Sequence, residues 1–111
     1  MRELYQTLKN WFGETFGTPR DPAAIIKKLG EEVFELEIAV DNYEKWQTYD
    51  NRRKVQEEMA DTVLVIINLA TNYGMCYNDF LDNLYIKHSK NEKRAWEKQE
   101  DGTYKHTSTD E

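Results

Sequence analysis

Between Pro22 and Gly74 the chain carries two stretches with apolar residues at the helical rhythm of about 3.6, and each holds two acids three residues apart. The acids are Glu32 with Glu35 and Glu58 with Asp61. In the first stretch Ile26, Leu29, Val33, Leu36 and Val40 make one apolar stripe, and Phe34 with Ile38 a second. At about 100° per residue, Glu32 and Glu35 fall in the gap between the two apolar faces, whereas Glu31 and Glu37 do not. In the second stretch the acids immediately precede Thr62-Val63-Leu64-Val65-Ile66-Ile67, and Asp61 lines up with Asn68 two turns later. A helix that is apolar nearly all round is buried, so this polar line leads a carboxylate toward a buried surface. Like charges one turn apart repel, and a buried carboxylate is costly unless paired or bound to a metal. The spacing asks for a counter-charge.

The remaining segments frame these two helices. Leu4, Leu8 and Trp11 give a short helix from Glu3 to about Phe12, with Trp11 continuing the core stripe, and Gly13, Gly17 and Thr18-Pro19-Arg20 end it. Asp21 suits an N-cap with Pro22 in the first helical position, and the helix runs to about Tyr43. The polar and aromatic segment Lys45 to Asn51 reads as a connection. Val55, Met59, Thr62, Val63, Ile66 and Ala70 mark the third helix, closed by Gly74. Asn78 or Asp79 caps a fourth helix with Phe80, Leu81, Leu84 and Tyr85, which continues to about Trp96. Beyond it Asp101-Gly102 signals a turn, Thr103-Tyr104-Lys105 a short extended piece, and Thr107 to Glu111 a frayed end. The expectation is all-α: an antiparallel bundle of about four helices, with 1–96 as one helical domain and 97–111 as a polar C-terminal tail. A bundle this small does not cover both apolar faces of the second helix and a third helix apolar on all sides. Oligomerisation, as a homodimer or homotetramer, is expected to complete it.

Composition removes several function classes. With 39% hydrophobic and 32% charged residues and two prolines, the chain has the profile of a globular helical protein. A net charge of −6 argues against binding a nucleic acid polymer, which calls for a basic field. The longest apolar run, Val63 to Ile67, is too short for a bilayer, and the N-terminus lacks the apolar core of a signal peptide. No membrane role is expected. The one cysteine, Cys76, forms no internal disulfide or multi-cysteine zinc site, consistent with a cytoplasmic setting.

Four carboxylates converging from two antiparallel helices make an oxygen-rich pocket suited to Mg²⁺, with Mn²⁺ as a substitute. Ferritin-like di-iron sites require Glu-x-x-His on two helices, and neither His88 nor His106 follows a glutamate at that spacing. Taken singly, Glu31, Glu32, Glu35, Glu37, Glu57 and Glu58 read as solvated surface. What favours a site is the paired spacing on two successive helices. Lys87, Asn91 and Arg94 also share a helix face and together suit a polyphosphate. The bland alternative is a solvated helix end complementing the dipole, as Lys90 and Lys93 do off that line.

These residues resemble the motifs of the MazG-like branch of the all-α NTP pyrophosphatase superfamily. Leu29-Gly30-Glu31-Glu32-Val33-Phe34-Glu35-Leu36 resembles the EExxEL helix, Glu57-Glu58-Met59-Ala60-Asp61 the EExxD helix, and Lys87-x3-Asn91-x2-Arg94-x-Trp96 the K-x3-N-x2-R segment. The likeness spans roughly Asp21 to Trp96, and Trp11-Phe12-x3-Phe16-Gly17 resembles the lead-in of some members. It implies Glu32, Glu35, Glu58 and Asp61 as metal ligands and Lys87, Asn91 and Arg94 as phosphate contacts. It also implies Mg²⁺-dependent hydrolysis of a nucleoside triphosphate to monophosphate and pyrophosphate by a homodimer or dimer of dimers. Glu35 or Glu32 is then the general base or a direct ligand. Two alternatives stand: a phosphoribosyl-ATP pyrophosphohydrolase-like enzyme, and a non-enzymatic dimeric helical interaction module. Trp11 or Trp46 stacking on a base, and Asn68 at the sugar, near a metal ligand or as a buried amide, are further options.

Overall fold

A computed structural model describes residues 1–107. The four expected helices are present: α1 (Arg2–Phe16), α2 (Pro22–Lys45), α3 (Tyr49–Asn72) and α4 (Tyr77–Lys93), followed by β1 (Trp96–Lys98) and β2 (Tyr104–His106). The chain forms two compact units, Met1–Tyr77 and a second that begins at Asn78.

In the first unit α2 and α3 are joined by residues 46–48 alone, which makes them antiparallel neighbours, and they share the most extensive packing in the chain. Local chemistry sets their starts. The Asp21 carboxylate accepts from the Ala23 N–H (3.0 Å) ahead of Pro22. The Thr48 hydroxyl accepts from the Asn51 N–H (3.1 Å), so α3 begins at Tyr49, within the segment expected to be a connection. Helix α1 runs through Gly13 to Phe16, because packing on α3 outweighs the modest helix penalty of one glycine; Gly17, at φ 93°, ends it.

The faces differ from the sequence expectation. On α2 the buried line is Ile25, Glu32 and Ala39, spaced by seven, whereas Ile26, Val33 and Val40 of the stripe and Phe34 and Ile38 are exposed. On α1, Tyr5 and Phe12 are buried, while Leu4 and Trp11 are about half exposed. On α3, Glu58, Ile67, Ala70 and Thr71 are buried, and Met59, Val63 and Ile66 are not. Hydropathy marks which faces are apolar without saying which of them meets a partner in the same chain; here the acid-bearing gap faces the neighbouring helix.

Two ties fix α1 and its exit against α3 and the turn that follows it. The Tyr5 hydroxyl donates to the Met75 carbonyl (2.8 Å). Arg20 exchanges backbone bonds with the Asn72 amide (2.8 and 3.0 Å), and its guanidinium donates to the carbonyls of Gly17 and Asn68 and to the Thr71 hydroxyl.

In the second unit α4 stops at Lys93, short of the expected Trp96, and the segment expected as a tail holds an antiparallel hairpin pairing Trp96 with His106 and Lys98 with Tyr104. The Trp96 indole donates to the Asn91 carbonyl (2.8 Å) and meets the His106 ring edge-on, which draws Trp96 out of the helix into β1. The Thr107 N–H donates to the Ala95 carbonyl (2.9 Å), so Thr107 is tied rather than frayed; 108–111 lie outside the described residues.

Candidate metal centre

The α2–α3 seam brings acids together. Glu32 (6% exposed) and Glu58 (4%) face each other across it, and with Asp61 they offer carboxylate oxygens all within 4.8 Å of one another. Asp61 was expected to be the buried acid; instead Glu58 is, and Asp61 is exposed at the rim. Three residues along a helix turn Asp61 by about 60° from the line of Glu58, enough to leave the seam.

Each buried acid has one oxygen engaged and one orphaned. Glu32 Oε1 lies 3.0 Å from Lys28 Nζ and Glu58 Oε1 3.0 Å from Lys54 Nζ, each lysine one turn earlier on the same helix. Glu32 Oε2 and Glu58 Oε2 are buried and without a hydrogen-bond donor. Orphaned buried acceptors where three carboxylates converge fit a hard divalent cation, which takes oxygen ligands and needs such charge. Glu35 is exposed and outside this trio, but belongs to it electrostatically. Its carboxyl titrates above the ordinary glutamate range, chiefly because of the Glu32 charge, then desolvation, then the Glu58 charge. It lines a hollow of about 280 Å³ with Lys54, Glu58 and Ile38. Glu31 and Glu37 are exposed and stand apart from the cluster.

Beside the acids opens a cleft of about 640 Å³. Glu32, Asp61 and Lys28 are at its polar side, Ile25, Leu64 and Val65 form its floor, and Trp11, Phe12 and Phe16 make an aromatic wall. The three rings support one another, Trp11 edge-on to both phenylalanines and Phe12 stacked on Phe16. Trp11 therefore lines the cleft and is not core. Asn68 and Arg20 also border it, each with a buried unpartnered atom, Asn68 Oδ1 and Arg20 Nε. Trp46, at the C-terminus of α2, is 64% exposed and absent from the cleft lining.

The second unit carries Lys87 and Asn91 on α4 and Arg94 just past its end. Arg94 Nη1 donates to Asn91 Oδ1 (3.2 Å), which brings these two side chains together, and Lys87 stands a turn before Asn91 on α4. Sequence reasoning missed Lys28, Lys54 and Arg20. The lysines had a visible signal, a cation four residues before each buried glutamate, which is the spacing of a helical ion pair.

No protein-family model and no curated protein matches this sequence. Among solved structures the chain is similar to the MazG-like pyrophosphohydrolase of cyanophage S-2L, which was determined with dGDP and three catalytic Mn²⁺ ions per active site. The TM-score is 0.68 at 28% identity, over 96% of this chain and 95% of that one. The helical architecture and this likeness give the chain the all-α fold of a MazG-like pyrophosphohydrolase, with converging acids at its α2–α3 seam.

Proposed function

We propose that the chain hydrolyses a ribo- or deoxynucleoside triphosphate between its α- and β-phosphates, releasing monophosphate and pyrophosphate with Mg²⁺, or Mn²⁺ in its place. The observation that carries this reading is the convergence of Glu32, Glu58 and Asp61, with orphaned buried oxygens, at the edge of an aromatic-walled cleft. The phage enzyme, with its nucleotide and Mn²⁺ ions, supports it. Divalent ions there would neutralise phosphate charge and polarise the attacking water. Glu32, Glu58 and Asp61 would hold them. Glu35, exposed beside Glu58 and Lys54 at the edge of the acid cluster, takes the proton of the water. Trp11 and its neighbours offer ring faces to the nucleobase, and Lys87, Asn91 and Arg94 bind phosphate oxygens.

A panel of nucleoside triphosphates with Mg²⁺, resolving pyrophosphate from orthophosphate, tests this directly. Pyrophosphate is the expected product, and orthophosphate alone would refute the cleavage site. Glu58→Gln and Asp61→Asn should lower turnover at least about 100-fold while keeping the helical fold, and Glu31→Gln should be nearly silent. Including phosphoribosyl-ATP in the panel separates the histidine-pathway alternative, which uses the same carboxylates. A protein inert toward every nucleotide and unchanged in melting by Mg²⁺ would be the helical interaction module instead.

The proposed active form is a homodimer or homotetramer, supported by the uncovered apolar faces of α2 and α3. Its proposed setting is the cytoplasm, supported by the lone cysteine. Among the described residues no helix is long and apolar enough to cross a membrane.

A further inference from the structure

Glu32 and Glu58 each have a lysine partner that the reaction above does not use. Each gives one oxygen to a lysine a turn earlier on its own helix, at 3.0 Å, and keeps the other buried without a donor. The lysine side chains are 58% and 60% exposed, so only the ammonium heads are committed to the seam. One positive charge per buried acid sums to the charge of one divalent cation. We infer that Lys28 and Lys54 are displaceable counter-ions that hold the acidic seam together before metal binds, and that Lys28, once displaced, becomes a phosphate ligand in the cleft. This rests on the proposed nucleotide hydrolysis and names further residues of the same site.

The physical steps are simple. Each lysine is a single flexible charge that keeps most of its side chain in water and can return its ammonium head there, whereas a divalent ion touching three carboxylates at once is held far more strongly. With that ion in place, the ammonium groups are repelled by it and lose their share of the carboxylate charge. Their fates then differ by location. Lys28 borders the cleft beside Glu32 and Asp61, where a triphosphate would lie. Lys54 borders the separate hollow with Glu35, Ile38 and Asn42, and gains no anion there. The two lysines are therefore equivalent toward metal and unequal toward nucleotide.

Two titrations test both halves. Calorimetric titration of nucleotide-free protein with Mn²⁺ should show Lys28→Ala and Lys54→Ala each binding at least about fivefold tighter than wild type, since a competitor has been removed. The α,β-methylene analogue of dGTP, titrated at saturating Mn²⁺, should bind Lys28→Ala about tenfold more weakly, Lys54→Ala like wild type, and Lys28→Arg close to wild type. If Lys28→Ala loses helicity by circular dichroism, Lys28→Gln replaces it. Mn²⁺ affinity unchanged or lower in both variants overturns displacement, and unchanged analogue affinity in Lys28→Ala overturns the phosphate role. A wild-type protein that takes up no Mn²⁺ defeats the metal-centre reading itself, an outcome distinct from either of these.

Discussion

Glu35 holds its proton more tightly in the folded chain than it would unfolded, because Glu32, desolvation and Glu58 all disfavour its charge. Across the interval between the ordinary glutamate range and that raised value, the folded state binds more protons than the unfolded one. Stability contributed by this group is therefore present at the acidic side and lost as pH rises through the interval. Urea midpoints of metal-free protein should record that loss, and Glu35→Gln should flatten it; an identical pH slope in the variant would assign the effect elsewhere. Mg²⁺ should shrink the same slope, since a bound cation relieves the repulsion. Asp101 has the opposite sign. The Thr103 hydroxyl and N–H hold its carboxyl below the usual aspartate range, so its contribution to the hairpin turn is present above that range and lost as pH falls through the lowered value.

Elements in this chain are started and stopped by short, readable signals. The Asp21-Pro22 entry to α2 and the break at Gly74 were legible because caps and breakers act within a few residues. Thr48 was hidden inside a segment whose polarity suggested a loop, and only its hydroxyl bond to Asn51 reveals α3 starting there. Thr48→Ala should cost about 1 kcal/mol of stability. Thermal melts of the variant at fixed protein concentration check this, and an unchanged midpoint would mean that packing alone places the start of α3. The acids were legible as pairs, since three-residue spacing survives any packing. Which acid is buried was not, because a rotation of about 60° between Glu58 and Asp61 is decided by the neighbouring helix. The same reason misassigned the α2 core: Ile25, Glu32 and Ala39 face α3, beside the richer apolar line of Ile26, Val33 and Val40.

At the scale of the molecule, the apolar side chains left exposed on α2 and α3 are what supports the proposed oligomer. Phe34 is 60% exposed and Met59 52%, and Ile26, Val33, Ile38, Val63 and Ile66 are exposed with them. Light scattering should return at least twice the 13.2 kDa chain mass, and Phe34→Asp should reduce both that mass and the melting temperature. A monodisperse 13.2 kDa species with full helicity would refute this. The hairpin after α4 was half-visible as Asp101-Gly102 and Thr103-Tyr104-Lys105, but its other strand begins at Trp96, whose helical spacing masked a contact with His106.

The aromatic wall of the cleft belongs to α1, and the acids belong to α2 and α3. On the proposed reading, the side chains that would meet the base and those that would hold the metal therefore sit on different helices, and an exchange at Trp11 or Phe16 would change what the cleft admits while leaving every carboxylate on its own helix.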